Sequence, residues 1–459
     1  MRREPRALFR TPGPRSIGLA FVLAALFAAC RQVDTVRDHF RPESPHAAYA
    51  YALSQAGLAS AALVRDWIHA AEHALREPHY VRLPYRETGW FPPERPTAVS
   101  YRWSARRGQR LVVELELATD DSALVFLDLY RIPGDASRPP HRVLSADSGR
   151  TRLEYEARRD ADYLLRIQPE LLRGGRYTIT ILATASLAFP VSGRGNHDIG
   201  GPIGAPRSGG RRHHGIDIFA PRGTPVVAAA AGTVTRVAET PIGGKVVWLR
   251  DELRGQSLYY AHLDRQVVEP GMRVGIGDTL GFVGNTGNAR ATPPHLHFGI
   301  YRRDEGPVDP LPFVYITHTA PPRLAVDTAL VGQWTRTAHP GPVYRTAHDR
   351  APVLRELPRH TPLRVEAATG QWYRVRLPDG SSGFVPGRLA EPIDQPIASE
   401  RLAAGTPVQS RPAPEAALVD HLAAGSDVPV LGRFGDFLFV RTPAGRHGWL
   451  ALDPGLTDE

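Results

Sequence analysis

Sulfur is scarce in this sequence: its 459 residues include one cysteine, Cys30, and two methionines. A single thiol cannot form an internal disulfide, so a disulfide-stapled scaffold is excluded and stability must come from packing or a bound metal. The apolar run SIGLAFVLAALFAA (16–29) falls short of the ~20 residues that a spanning helix needs. The net charge is +9, and the basic residues are nearly all arginine. That excess does not demand nucleic acid, and no nucleic-acid partner is expected. H-E-x-x-H, the helical zinc-protease motif, is absent. The glycine-rich stretch GIGDTLGFVGNTGNA (275–289) has neither G-x-G-x-x-G spacing nor a Walker lysine, and no helix pattern follows it. Its glycines read as turns between short strands that wall a groove.

The first thirty residues have the order of an export signal. Five arginines and one glutamate in residues 1–15 precede the apolar run, which has the length of a signal h-region. The run ends in FAAC, which resembles the lipobox of bacterial lipoproteins, although Phe27 stands where leucine is usual. The resemblance implies cleavage before Cys30, acylation of its thiol and anchorage to a membrane in the periplasm, the outer membrane being expected. Loss of the leader leaves a net charge of +5, which suits an anionic cell-wall polymer.

At this length several domains are expected, and the fold class is mainly β and multidomain. Residues 31–88 read as a helical spacer: Ser44 as N-cap and Pro45 at the first helical position start one or two helices, and Pro78 stops them. Residues 89–186 alternate apolar and polar side chains in RLVVELELA, ALVFLDLYRI, TRLEYEA, DYLLRIQ and RYTITIL, the pattern of a β-sandwich. This region resembles the pre-peptidase C-terminal type of sandwich and carries no candidate catalytic residue. The C-terminal third contains an ungapped repeat of 65 residues, which aligns QWYRVRLPDGSSGFV (371–385) with DFLFVRTPAGRHGWL (436–450). Each copy, 329–393 and 394–459, resembles a small bacterial SH3-like barrel, of the kind that binds cell-wall peptide.

Residues 187–318 form a Gly-rich β-sheet core in which histidines gather in three places. In RRHHGIDIFAPRGTPVVAA (211–229), His213 and Asp217 are four apart, but Gly215, the β-branched Ile216 and Ile218, and Pro221 oppose a helix. A strand with a turn must serve that spacing. In LYYAHLD (258–264), alternation puts Tyr260 and His262 on one side of a strand. In PPHLHFGIY (293–301), it puts His295, His297, Gly299 and Tyr301 on one face and Leu296, Phe298 and Ile300 on the other. Zinc favours imidazole nitrogen and carboxylate oxygen, and a catalytic site keeps one position for water. Three protein ligands would leave two histidines for acid–base work.

These motifs, with GDTLGFVGNTGNA, resemble the lysostaphin/LytM-type zinc endopeptidases that cut peptidoglycan cross-bridges. The resemblance implies one Zn2+ held by His213, Asp217 and His297, with His262 and His295 acting on water and on the tetrahedral intermediate. It implies hydrolysis of stem-peptide cross-links, and in a Gram-negative wall D,D-endopeptidase action. The alternatives are a non-catalytic wall-binding scaffold or amidase activator, against which the complete set of five residues argues, and a secreted bacteriolysin. His214 has no matched role, Tyr260 is either a hydrogen-bonding group near the site or a core residue, and His197 is placed in a loop over the groove.

Overall fold

The computed structural model describes residues 43–118, 123–135, 137–317 and 320–452. Cys30 and the signal-like leader lie outside the described residues. The fold is mainly β and multidomain. By its contacts the chain divides into residues 1–64 and 65–459.

In the first of these units, the helix Pro45–Gln55 begins as its sequence predicts, with the Ser44 hydroxyl accepting from the Ala47 N–H at 3.1 Å. A second helix, Ala62–Arg76, carries Trp67, which is almost wholly buried. Its indole N–H donates to the Pro169 carbonyl (2.8 Å) and its ring meets Phe126 edge-on at 6.0 Å. Trp67, which belongs to residues 65–459, is therefore packed into the sandwich of that same unit.

Two sheets enclose the sandwich core. One runs in the order His79–Tyr80, Val99–Ala105, Ala161–Pro169, Val125–Arg131, His141–Ser145. The other contains Tyr85–Phe91, Gly175–Ala185, Gln109–Ala118 and Arg152–Glu156. Alternation explains the packing: Leu111, Val113 and Leu115 point inward with Ile179 and Ile181, all buried in one cluster. The strand Tyr85–Phe91 straddles the expected boundary at residues 88/89 and pairs along its length with Gly175–Ala185.

That second sheet does not stop at the sandwich. Thr88 and Gly89 pair with Ala368 and Ala367 of the strand Pro362–Thr369, so the sheet runs on into the first SH3-like unit. Beneath the join, Arg374 donates to the wholly buried Glu87 at 3.0 Å. The Tyr85 and Tyr101 hydroxyls also donate to Glu87, each at 2.6 Å. A buried pair is worth its desolvation only when its remaining hydrogen-bonding groups are satisfied, and the tyrosines do this for the carboxylate.

The 65-residue repeat is visible in register. Val375 pairs with Gly383 and Tyr373 with Val385; 65 positions on, Val440 pairs with Gly448 and Leu438 with Leu450. A Cβ on Gly383 would lie 2.3 Å from Val343, and one on Gly448 would lie 2.3 Å from Val408. Glycine recurs because the same valine needs the space.

The central segment forms an antiparallel sheet with neighbours in the order Ile199–Gly200, Ile216–Phe219, His295–Arg302, Gln256–Gln266, Gly244–Asp251, Gly232–Thr240, Arg273–Val274. Ile216, Ile218, Leu296, Phe298 and Ile300 fill its core, as the alternating pattern predicts. The sandwich closes on this segment where the Phe313 ring would lie 2.4 Å from any Cβ at Gly108.

Candidate functional site

The opposite face of this sheet carries the imidazoles. The strands Ile216–Phe219 and His295–Arg302 run antiparallel, and their register sets Asp217 against His297 and Phe219 against His295. His213, in the segment leading into the first strand, is held by reciprocal backbone bonds: its N–H donates to the Ala205 carbonyl, and its carbonyl accepts from Gly204. The result is a cluster in which His213 Nε2 lies 2.8 Å from His297 Nδ1 and 3.0 Å from Asp217 Oδ1, while His297 Nδ1 lies 3.1 Å from the same oxygen.

The donor chemistry of this cluster fits zinc. His213 Nδ1 lies 3.0 Å from the Pro202 carbonyl oxygen, which only accepts, so the proton sits on Nδ1 and the Nε2 lone pair faces the cluster. Three electron-rich atoms converge there, and one shared proton cannot satisfy all three pairs. A central cation can. Two nitrogens and one oxygen around zinc, with bonds of roughly 2.0–2.1 Å, lie a little over 3 Å apart, close to the spacing seen. The other oxygen of Asp217 receives a hydrogen bond from Arg207. Burial pushes the Asp217 carboxyl up, but the close approach of His213 and His297 outweighs burial and holds it well below the usual carboxylate range. His297 is lowered by burial, against the opposing pull of Asp217.

His262 and His295 stand beside this cluster. Their rings are 5.0 Å apart, and His262 is 6.0 Å from the ring of His297. His262 Nδ1 bonds to the Thr286 carbonyl (2.9 Å) and His295 Nδ1 to the Pro293 carbonyl (2.8 Å), so each presents Nε2. His295 Nε2 is 3.9 Å from Asp217 Oδ1. Burial first, and then the neighbouring His295, lower the His262 imidazole to about 4.

The expected shared side of Tyr260 and His262 is not what the structure shows. Tyr260 is wholly buried against Phe298, and its hydroxyl accepts from the Ala229 N–H, so it is a core residue. His262 instead adopts a left-handed backbone, φ 63°, where the pairing shifts between Tyr260 and Leu263. This bulge breaks the alternation and turns the imidazole to the site face. His214 is exposed. His197 is also exposed and pairs with Asp198 at 3.1 Å, with no contact to the imidazole cluster among the described residues.

Two neighbours went unread in the sequence. Arg207 gives no local signal, since only the fold brings it to Asp217. Tyr259 meets the His297 ring edge-on at 5.8 Å, lies tilted against Trp248 at 4.5 Å and meets Tyr301 edge-on at 6.1 Å. Alternation from Ala261, the cross-strand partner of His297, would have found it.

Comparison with known proteins agrees with this geometry. Residues 211–310 match the family model Peptidase family M23, and residues 337–391 match Bacterial SH3 domain. The chain is 37% identical over 138 residues to an L-Ala–D-Glu endopeptidase of Bacillus subtilis, covering 27% of this chain and 42% of that protein. It is 40% identical over 88 residues to the peptidoglycan DD-endopeptidase ShyC of Vibrio cholerae, covering 19% of this chain and 20% of that protein. The matched part thus spans 42% of the length of the first relative and 20% of the second. Among solved structures, the catalytic domain of lysostaphin from Staphylococcus simulans is 31% identical, covering 25% of this chain and 90% of that domain, with a TM-score of 0.24. The His213–Asp217–His297 cluster therefore falls within the stretch that matches Peptidase family M23, which this chain carries together with a match to a bacterial SH3 domain.

Proposed function

We propose that the chain is a zinc-dependent endopeptidase that hydrolyses peptide cross-links of bacterial peptidoglycan, acting as a D,D-endopeptidase on stem peptides. The observation that carries this reading is the convergence of three ligand atoms within 4.8 Å of one another, with two further imidazoles presenting Nε2 beside them. His213, Asp217 and His297 would hold the ion. When bound, zinc supplies Lewis acidity and brings the pKa of a water molecule down toward ~7.

The remaining steps belong to the chain. His262 is neutral at neutral pH and its Nδ1 proton is engaged by Thr286, so its Nε2 accepts the proton of the attacking water. The proton taken by His262 passes to the leaving amine, and His295, whose Nε2 faces the same space, stands beside the developing oxyanion. The rings of Tyr259, Trp248 and Tyr301 cluster beside His297 on the same face. The lipobox-like sequence at Cys30 supports anchorage in the periplasm, and the two SH3-like units support a grip on wall peptide.

The test is digestion of isolated sacculi of known cross-link type with the purified chain. Conversion of cross-linked dimers into monomers with new D-alanine carboxyl termini is expected. A chain that holds stoichiometric zinc and releases no monomer would instead be a wall-binding scaffold.

A further inference from the structure

A cavity of about 1120 Å³ lies at the seam between the sandwich and the peptidase sheet, on the far end of the strand that carries His295 and His297. Seven arginines and three carboxylates line it. Two of the arginines are spent on holding the walls together: Arg106 pairs with Asp309 at 2.9 Å and Arg107 with Glu305 at 2.5 Å, each reaching from the sandwich to the peptidase segment. Arg131, Arg158 and Arg159 line the same space and make no ion pair among the described residues. Arg302, the last residue of the histidine-bearing strand, closes the rim; it pairs with Glu305 at 3.9 Å and donates to Gln256 at 3.5 Å, while its buried Nε has no hydrogen-bond partner.

Unspent guanidinium groups around a concave space are a receptor for oxyanions. A guanidinium binds a carboxylate through two parallel hydrogen bonds, and several fixed around one cavity select a ligand with several anionic groups. The volume exceeds what a single small anion fills and matches a ligand of a few sugar or amino-acid residues. Tyr155, Val143 and Pro307 add apolar surface to the lining. The span from His297 to Arg302 is five residues of extended strand, roughly 17 Å. This is too far for the residues flanking a bond cut at the histidines, so an occupant is a different part of the polymer from the one being cleaved.

We infer that this cavity is a second wall-binding site, which takes the carboxylate groups of an uncut stem peptide on its glycan and holds the polymer while a neighbouring cross-link enters the groove. The assignment rests on the peptidoglycan reading for the identity of the ligand, and on the arginines alone for its charge.

Binding of a purified disaccharide–tetrapeptide fragment to the full chain, measured by calorimetry, tests it, with the zinc-site variant His297→Ala run in parallel. The fragment is expected to bind both chains. Arg158→Ala and Arg159→Ala together, and separately Arg131→Ala, should each weaken binding roughly tenfold or more, since a hydrogen bond to a charged group is worth ~1.5–3 kcal/mol. Both variant sites lie on or near the surface, and an unchanged circular dichroism spectrum checks the fold. Binding should also fall steeply between low and physiological salt. Fragment binding unaffected by the arginine variants, or absent, overturns the proposal. So does tight binding of a phosphate-rich probe such as tripolyphosphate with none of the fragment, since the ligand class would then be wrong. If the fragment binds at the arginines and sacculi are still not cut, the endopeptidase reading fails while the site stands.

Discussion

Asp217 and His297 face each other across adjacent antiparallel strands, with Oδ1 and Nδ1 3.1 Å apart. This pairing joins two motifs 80 residues apart in sequence, and His213 completes the cluster from the segment that feeds the first strand. Because Asp217 and His297, two of the three candidate ligands, sit on paired strands with a packed core beneath, the strand pairing itself fixes their spacing.

The second oxygen of Asp217 is fixed by Arg207, which is partly exposed. Removing a group that orients a metal-binding carboxylate typically costs 10–100-fold in affinity. Arg207→Ala should lower zinc affinity by about that factor while leaving thermal stability of the zinc-free chain nearly unchanged, as competition with a coloured chelator would show. Unaltered affinity would mean that the contact is incidental.

Gly215 sits where the chain passes close to the ligand strand. A Cβ there would lie 2.3 Å from the Phe298 carbonyl oxygen and 3.0 Å from the His297 ring. Overpacking of this kind costs ~1–3 kcal/mol. Gly215→Ala should therefore both lower the urea midpoint and reduce zinc content, whereas Gly223→Ala, whose added Cβ would have no neighbour within 4 Å, should leave zinc content intact.

His262 is held at φ 63°, in the left-handed region that glycine enters freely and that few other residues adopt, histidine being one of the more tolerant. Glycine there should relieve a strain of order 1 kcal/mol. His262→Gly is expected to unfold at a higher urea concentration than His262→Ala, and both should lose turnover while keeping zinc. Equal midpoints would show that the backbone at this bulge stores no strain.

Acid should weaken the join between sandwich and first SH3-like unit. His79 accepts a hydrogen bond from Arg374 at 2.7 Å, and burial, then Arg374 and Arg376, hold its pKa well below the ordinary value. A histidine lowered on folding binds more protons when unfolded. Its cost to stability is absent above the unfolded value of about 6.5 and grows as pH falls from there toward the folded value. His79→Gln, which can still accept from Arg374, should lose less stability than the parent between pH 7 and pH 5, measured by urea unfolding. An identical loss would remove His79 as a contributor.

Much of this was legible in the sequence because it depends on period. Alternation assigned Leu296, Phe298 and Ile300 to the core and His295 and His297 to the other face, and the ungapped 65-residue repeat reappears as identical strand register in both SH3-like units. What escaped depends on departures from period or on contacts between distant segments. A bulge turns His262 away from Tyr260, and no residue type announces it. The continuation of the sandwich sheet through Gly89 and Ala367 is a pairing between separate segments, as is the approach of Arg107 to Glu305. Arginines scattered from 106 to 302 look like general basicity until the fold gathers them.

The central claim is that the two histidines of one strand divide the work, His297 on the metal and His295 on the reaction. Zinc content by atomic emission, together with release of monomeric muropeptides from sacculi, compared for the parent chain, His297→Ala and His295→Ala, tests it most directly. One zinc per chain in the parent and in His295→Ala, little in His297→Ala, and turnover lost in both variants is the expected result. Equal loss of zinc in the two variants, or full turnover without His295, would contradict it.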